Sequence, residues 1–260
     1  MRVAMVQVDS SGESVPERRA RVGELVRGLG GADLVVLPEL WAVGYFAFDA
    51  YAEGAEPFEG PSVSDARSWA RELGAWVHLG SFVEMDAGRL FNTAVLLSPE
   101  GEVAHVYRKI HVFGYRSREA ELLTPGDELP VADTSFGRVA ATTCYDLRFP
   151  ELWRGLVDGG AQIAIVPAAW PAARREHWRL FTSCRAVEEQ VLLIGCNAAG
   201  AELGGHSRVV DPWGAVLAEA GTEAGVTWCD VDPAVVERAR AEFPVLADRR
   251  TDLTFQGADV

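Results

Sequence analysis

Residues 33–40, DLVVLPEL, decide how the rest of the chain is read. Its apolar run is too short for a helix and has no polar alternation, so it reads as a strand covered on both faces. The stretch AQIAIVPAAW (161–170) repeats the signature in the second half. Helices can cover one face of such a sheet. The other face must meet more protein.

Working outward, VAMVQV (3–8) is a strand and PERRARVGELVRGLG (16–30) an amphipathic helix that stops at glycines. SVSDARSWARELG (62–74) is a second helix, with Ser62 or Ser64 as its candidate cap. WVHLGSFVEM, LFNTAVLLS and EVAHVYRKI follow as strands joined by turns at DAGR and PEG. The second half repeats the order: strand GRVAATTCYD (137–146), helix FPELWRGLVDGG with Pro150 in its first turn, then the strand at 161–170. Helix REHWRLFTSCRAVEEQ and strand VLLIGCNA come next, then a hairpin HSRVVDPWGAVLAEA turned at Asp211-Pro212-Trp213-Gly214, and GVTWCDVD closes the sheet. The expectation is an α/β fold, one domain over 1–260, with two halves stacked sheet on sheet and layers ordered helix, sheet, sheet, helix.

At 260 residues and 48% hydrophobic, the chain can bury one large core. A net charge of −14 and a pI near 4.8 argue against a nucleic-acid partner, which would need clustered Lys and Arg. MRVAMVQVDSSGES reads as a strand start, not a signal peptide, and nothing approaches the roughly 20 apolar residues of a membrane span, so a cytoplasmic location is expected. Cys144, Cys184, Cys196 and Cys229 are scattered and the histidines form no ligand pattern. Neither a disulfide framework, a metal nor a cofactor is expected; Cys184 and Cys196 fall in helix and strand patterns and read as core.

Chemistry gathers at strand ends, because ligands of open α/β sheets sit beyond the carboxyl ends of the strands. Glu39 ends LVVLPE, Lys109 ends AHVYRK and Cys144 ends VAATTC. A thiol is mostly protonated at neutral pH and needs a base or a cation to act as a nucleophile. Glu39 can take the proton and Lys109 can stabilise the thiolate; Lys109 and the Tyr145 backbone N–H can hold an oxyanion. Read singly, each has a plainer role: a core thiol, a loop carboxylate, a solvated lysine.

With LPEL, YRKIH and CYDLRFPE in this order, the chain resembles the nitrilase (carbon–nitrogen hydrolase) superfamily over nearly its whole length. The resemblance implies a four-layer αββα sandwich, with Glu39 as general base, Lys109 as oxyanion-stabilising cation and Cys144 as nucleophile. It implies a second glutamate shortly before a Pro-Gly pair, and position relative to Pro125-Gly126 favours Glu119 over Glu121. It further implies a homodimer or larger, paired through the helices at FPELWRGL and REHWRLFTSCRA, whose Trp residues fit an interface core or helix-to-sheet packing equally well. The tail, about 243–260, would cross to the partner.

CYDLRFPE, PGDEL and HSRVVDPWG look most like the omega-amidase and deaminated-glutathione-amidase branch, which implies a small amide of a dicarboxylate as substrate. Arg148 would then anchor the carboxylate; otherwise it pairs with Asp146 or Glu151. Tyr45, Phe46, Phe113, Tyr115 and Trp170, in three loops, could line an apolar pocket that favours a larger acyl group. The expected function is a cysteine-dependent amidohydrolase releasing carboxylate and ammonia through a thioester. A nitrilase or carbamoyl hydrolase would use the same site. A metal-dependent phosphoesterase with Asn92, His206 and Asp211 as ligands, and a silent binding protein, are the readings from other classes.

Overall fold

The computed structural model describes residues 1–250. The first half runs β1 (Arg2–Gln7), α1 (Val15–Arg27), β2 (Leu34–Val36), α2 (Pro61–Leu73), β3 (Trp76–Asp86), β4 (Arg89–Leu97) and β5 (Val103–Arg108). A one-turn α3 (Glu119–Leu122) and β6 (Ala132–Thr134) lead into the second half. There β7 (Gly137–Ala141), α4 (Pro150–Asp158), β8 (Ile163–Ala168), α5 (Arg175–Glu188), β9 (Leu192–Asn197), β10 (Arg208–Val210) and β11 (Val216–Glu219) repeat the plan. β12 (Gly225–Asp230) and α6 (Val235–Glu242) follow.

The strands form two six-stranded sheets, ordered β12-β1-β2-β3-β4-β5 and β11-β10-β9-β8-β7-β6. Each has a parallel core, β1-β2-β3 or β7-β8-β9, continued by antiparallel strands. The expected αββα sandwich is therefore present. GVTWCDVD does not close the sheet of its own half: β12 pairs antiparallel with β1, from Arg2↔Asp230 to Gln7↔Gly225.

The period-two alternation of strands builds the layers. In β1, Ala4 and Val6 face α1 and α2 together with Val22, Val26, Ala66 and Trp69. Val3 and Met5 face the opposite sheet, where they meet a layer containing Val139, Ile163, Ile165 and Ile194. The second helix layer packs Trp153 and Trp178 onto Ala164, Val166 and Leu193. Both indoles are fully buried within the chain, so they belong to helix-to-sheet packing and not to an interface; removing either would cost about 3–5 kcal/mol.

Two local expectations are corrected. Neither Ser62 nor Ser64 caps α2; the N-cap is Gly60, and Glu56 reaches in to accept from Ser62 N (2.6 Å) and Ser62 Oγ (2.9 Å). A carboxylate at that end also suits the helix dipole. Cys184 is exposed on α5, whereas Cys196 is buried between the sheets.

The hairpin turn at 211–214 forms as expected, with Asp211 Oδ1 accepting from Trp213 N and Ala215 N. Of the tail, Leu246 packs against the α4–α5 layer and Arg249 pairs with Asp158 at 2.7 Å, both within the chain. The rest of the expected crossing segment, 251–260, lies outside the described residues. Among the described residues no helix is long and apolar enough to cross a membrane.

Candidate active site

Glu39, Lys109 and Cys144 all lie just beyond the carboxyl ends of strands, β2, β5 and β7 respectively. The backbone around each is tightly specified. Leu40, after Glu39, has φ 47° and its N–H is held by Ser81 Oγ at 3.0 Å. Gly80 backs this turn; a Cβ there would stand 2.0 Å from the Pro38 carbonyl oxygen. Lys109 extends the β4–β5 ladder by donating N–H to Asn92 O, and Gly126 N donates to Lys109 O. A Cβ on Gly126 would stand 2.2 Å from Arg108 O, which explains the Pro-Gly pair beside the lysine.

The side chains form one buried network. Lys109 Nζ donates to Glu39 Oε1 (2.8 Å) and to Glu119 Oε1 (2.7 Å), with all three side chains fully enclosed. Asn92 Nδ2 also donates to Glu39 Oε1, and Ala169 N, one residue past β8, donates to Glu39 Oε2 at 2.9 Å. Glu119 Oε2 accepts from Tyr45 OH (2.8 Å) and Phe113 N (3.3 Å). Glu121, the other candidate, is exposed beside Arg118. The one-turn α3 separates the two by half a turn, one pointing in and one out.

Cys144 opens a 3₁₀ turn, Cys144–Arg148, with φ 49°, so the expected strand stops three residues before it. A positive φ on a residue with a side chain is strained and marks positions held by their surroundings.

The electrostatics follow from burial. Burial would depress the Lys109 ammonium, but the carboxylates of Glu119 and Glu39 outweigh it and hold the group charged, well above its ordinary value. Burial raises Glu39 and Glu119 adds to it, while Lys109 opposes both, so Glu39 retains a proton more readily than a free carboxyl. The Cys144 thiol is pushed well up, first by burial and then by the charge of Glu39, despite Lys109. The thiol therefore holds its proton more firmly than a free cysteine, beside the carboxyl group that the sequence reading put forward to take it.

Cys144 opens onto a cavity of about 190 Å³ whose walls include Tyr45, Phe113, Tyr115, Tyr145, Arg148 and Trp170. All the expected pocket residues, Phe46 included, are thus brought together. Arg116 and Arg174, which the sequence reading passed over, complete a rim of three arginines with no acidic residue among the lining side chains. Arg148 pairs with neither Asp146 nor Glu151; its guanidinium lies 4.7 Å over the Trp170 ring and 3.3 Å from His177 Nδ1. Burial, then Arg174, lowers the Arg148 pKa.

The alternative metal set is not gathered. Asn92 binds Glu39, His206 Nδ1 lies 3.0 Å from Glu219, and Asp211 closes its own turn. Asn92 and Ala169 were missed as partners of Glu39; the one available signal was an amide in the middle of the apolar strand LFNTAVLLS.

A family model described as carbon–nitrogen hydrolase matches residues 2–241. The chain is 40% identical over 264 residues to a 2-oxoglutaramate amidase of Paenarthrobacter nicotinovorans, covering 96% of this chain and 90% of that protein. It is 34% identical to the omega-amidase NIT2 of Bos taurus, over 97% of this chain and 96% of that one. Among solved structures, Saccharomyces cerevisiae Nit3, a member of branch 10 of the nitrilase superfamily, superposes with a TM-score of 0.86 at 30% identity, covering 96% of each chain.

Proposed function

The chain belongs to the carbon–nitrogen hydrolase family and is an amidohydrolase, and on that premise we propose that it hydrolyses a small amide carrying a carboxylate at its far end. The observation that supports this substrate class is the rim of Arg148, Arg174 and Arg116. None of the three has a carboxylate within ion-pair distance among the described residues, in a chain whose net charge is −14. Arg148 and Arg174 are partly buried and repel one another, so an incoming anion stabilises both, while Arg116 stands exposed at the mouth. The cavity is smaller than the roughly 300–1,000 Å³ of drug-sized sites, which suits a short acyl chain. The 2-oxoglutaramate amidase and omega-amidase names of the relatives point the same way.

The mechanism follows from the charges. Cys144 Sγ attacks the amide carbon while its proton passes to Glu39. The oxyanion is met by Lys109 Nζ and the Tyr145 N–H. Glu39 returns the proton to the nitrogen, the C–N bond breaks, and ammonia leaves a thioester on Cys144. Glu39 then takes a proton from water, which attacks the thioester; C–S cleavage releases the carboxylate and the proton returns to sulfur. Glu119, fixed by Tyr45, keeps Lys109 charged and aimed at this point.

Ammonia release from a panel of amides, nitriles and carbamoyl compounds tests the proposal, with Cys144→Ala as control. Preference for 2-oxoglutaramate or succinamate supports it. Preference for a neutral amide or a nitrile defeats the substrate assignment, and release by Cys144→Ala defeats the mechanism.

The outward face of α5 supports the expected pairing of copies. Leu180, Cys184 and Val187 are exposed there, near Trp213 and Phe243. Sedimentation of the protein and of Leu180→Glu would test it.

A further inference from the structure

Asp146 follows the nucleophile by two residues, is fully buried, and has no part in the chemistry just described. Its carboxylate nevertheless gathers four donors. Oδ2 accepts from Thr143 N (2.8 Å) and Tyr107 OH (2.8 Å); Oδ1 accepts from His111 N (3.0 Å) and lies 2.8 Å from His111 Nδ1. Those donors have a pattern in the sequence. Tyr107 and His111 stand two residues on either side of Lys109, and Thr143 immediately precedes Cys144.

The network closes on itself. Tyr107 OH, while donating to Asp146, accepts from Ile110 N at 3.2 Å, and Trp153 Nε1 donates to Asp146 O from α4. The His111 ring is also stacked on Phe149, with centroids 3.6 Å apart. The segment 107–111 and the turn 143–149 are therefore joined through one carboxylate, across the boundary between the two sheets.

We propose that Asp146 is a positioning residue, which keeps the strained Cys144 turn in register with Lys109. The inference rests on the reading of Cys144 as nucleophile. Its physical basis is that the thiol and the ammonium are carried by different sheets, so their separation is set by whatever spans the gap between the two backbones. A carboxylate saturated by donors from both sides fixes that separation more tightly than apolar packing does. Misplacement by about 1 Å can lower a rate by about 100-fold.

Asp146→Asn keeps the size but aims an N–H at converging donors. It is expected to lower kcat by about 100-fold and leave KM within about threefold. Tyr107→Phe, which removes one hydroxyl, is expected to lower kcat by about tenfold.

The second readout is alkylation by iodoacetamide, quantified by mass spectrometry at Cys144, with the same cysteine in the urea-unfolded chain as reference. Alkylation at Cys144 should slow with kcat in both folded variants while alkylation of the unfolded chains does not change. Variants that melt earlier yet keep kcat and the Cys144 alkylation rate would overturn the proposal, as would a rise in KM at constant kcat. If Asp146→Asn does not fold, unchanged kcat in Tyr107→Phe overturns it alone. Activity in Cys144→Ala would show instead that the underlying reading of the nucleophile has failed.

Discussion

Arg148 and Asp146 are two residues apart on the turn after the nucleophile and do not form an ion pair, because Asp146 is already filled by donors from Tyr107, His111 and Thr143. The guanidinium is left to the cavity. Arg148→Ala should therefore raise KM for a carboxylate-bearing amide by about 10- to 100-fold, the worth of a charge-assisted hydrogen bond, while a neutral amide of the same length is handled nearly as before. Equal losses on both substrates would remove the anchoring role.

Lys109 neutralises two enclosed carboxylates as well as facing the reaction. Lys109→Met should lower kcat by at least about 100-fold and destabilise the fold by about 3–5 kcal/mol, since Glu39 and Glu119 are left with no cation. Kinetics and urea unfolding on one preparation check both parts. Unchanged turnover would sink the oxyanion assignment.

Glu39 must lose its proton before it can accept one from Cys144, and burial raises the pH at which it does so. The acid limb of kcat/KM should therefore lie above the ordinary carboxylate range, with activity rising as pH increases through it. Glu39→Gln should abolish activity without greatly changing the melting temperature. A pH–rate profile between about pH 4 and 9 reads the limb directly.

His78 is fully enclosed on β3, between β2 and β4, and burial pushes its pKa down to about 3; His105 is lowered for the same reason. The unfolded chain takes up these protons near pH 6.5, and the folded chain does not. Stability should hold above that pH and fall below it, down to about 3 for His78, by up to about 1.4 kcal/mol per pH unit for each histidine that stays neutral in the fold. Urea midpoints at several pH values, compared with His78→Gln, measure the slope. No flattening in the variant would assign acid lability elsewhere.

Gly80 sits at φ 75° with no room for a methyl group against Pro38. Gly80→Ala should displace the turn carrying Glu39 and cost about 1–3 kcal/mol, with activity falling further than stability explains. Retained kcat in the folded fraction would show that the turn absorbs the change.

What was legible in the sequence depended on whether a single stretch carried the information. Continuous apolar runs identified the covered strands, and their ends located Glu39, Lys109 and Cys144. Partners supplied from a distance left no local mark. The cap of α2 comes from Glu56, outside the helix pattern, so Ser62 and Ser64 looked like better candidates than they are. Cys184 belongs to a helix whose apolar positions are not all inward, and only packing separates it from Cys196. Asn92 and the Ala169 N–H reach Glu39 from another strand and another sheet, and Asp146 looked like a counter-ion for Arg148 until its four donors were placed.

The pairing of β12 with β1 bears on how the protein is made. A chain leaving the ribosome presents β1 long before the strand that covers its edge, because β12 follows every other strand of both sheets in chain order. Until then the first sheet carries an open row of N–H and C=O groups, the feature that invites association between unfinished chains. Synthesis therefore passes through a long interval in which the amino-terminal half is layered but unsealed, and slow translation or a scarcity of chaperones should reduce the soluble yield more than the stability of the finished molecule suggests.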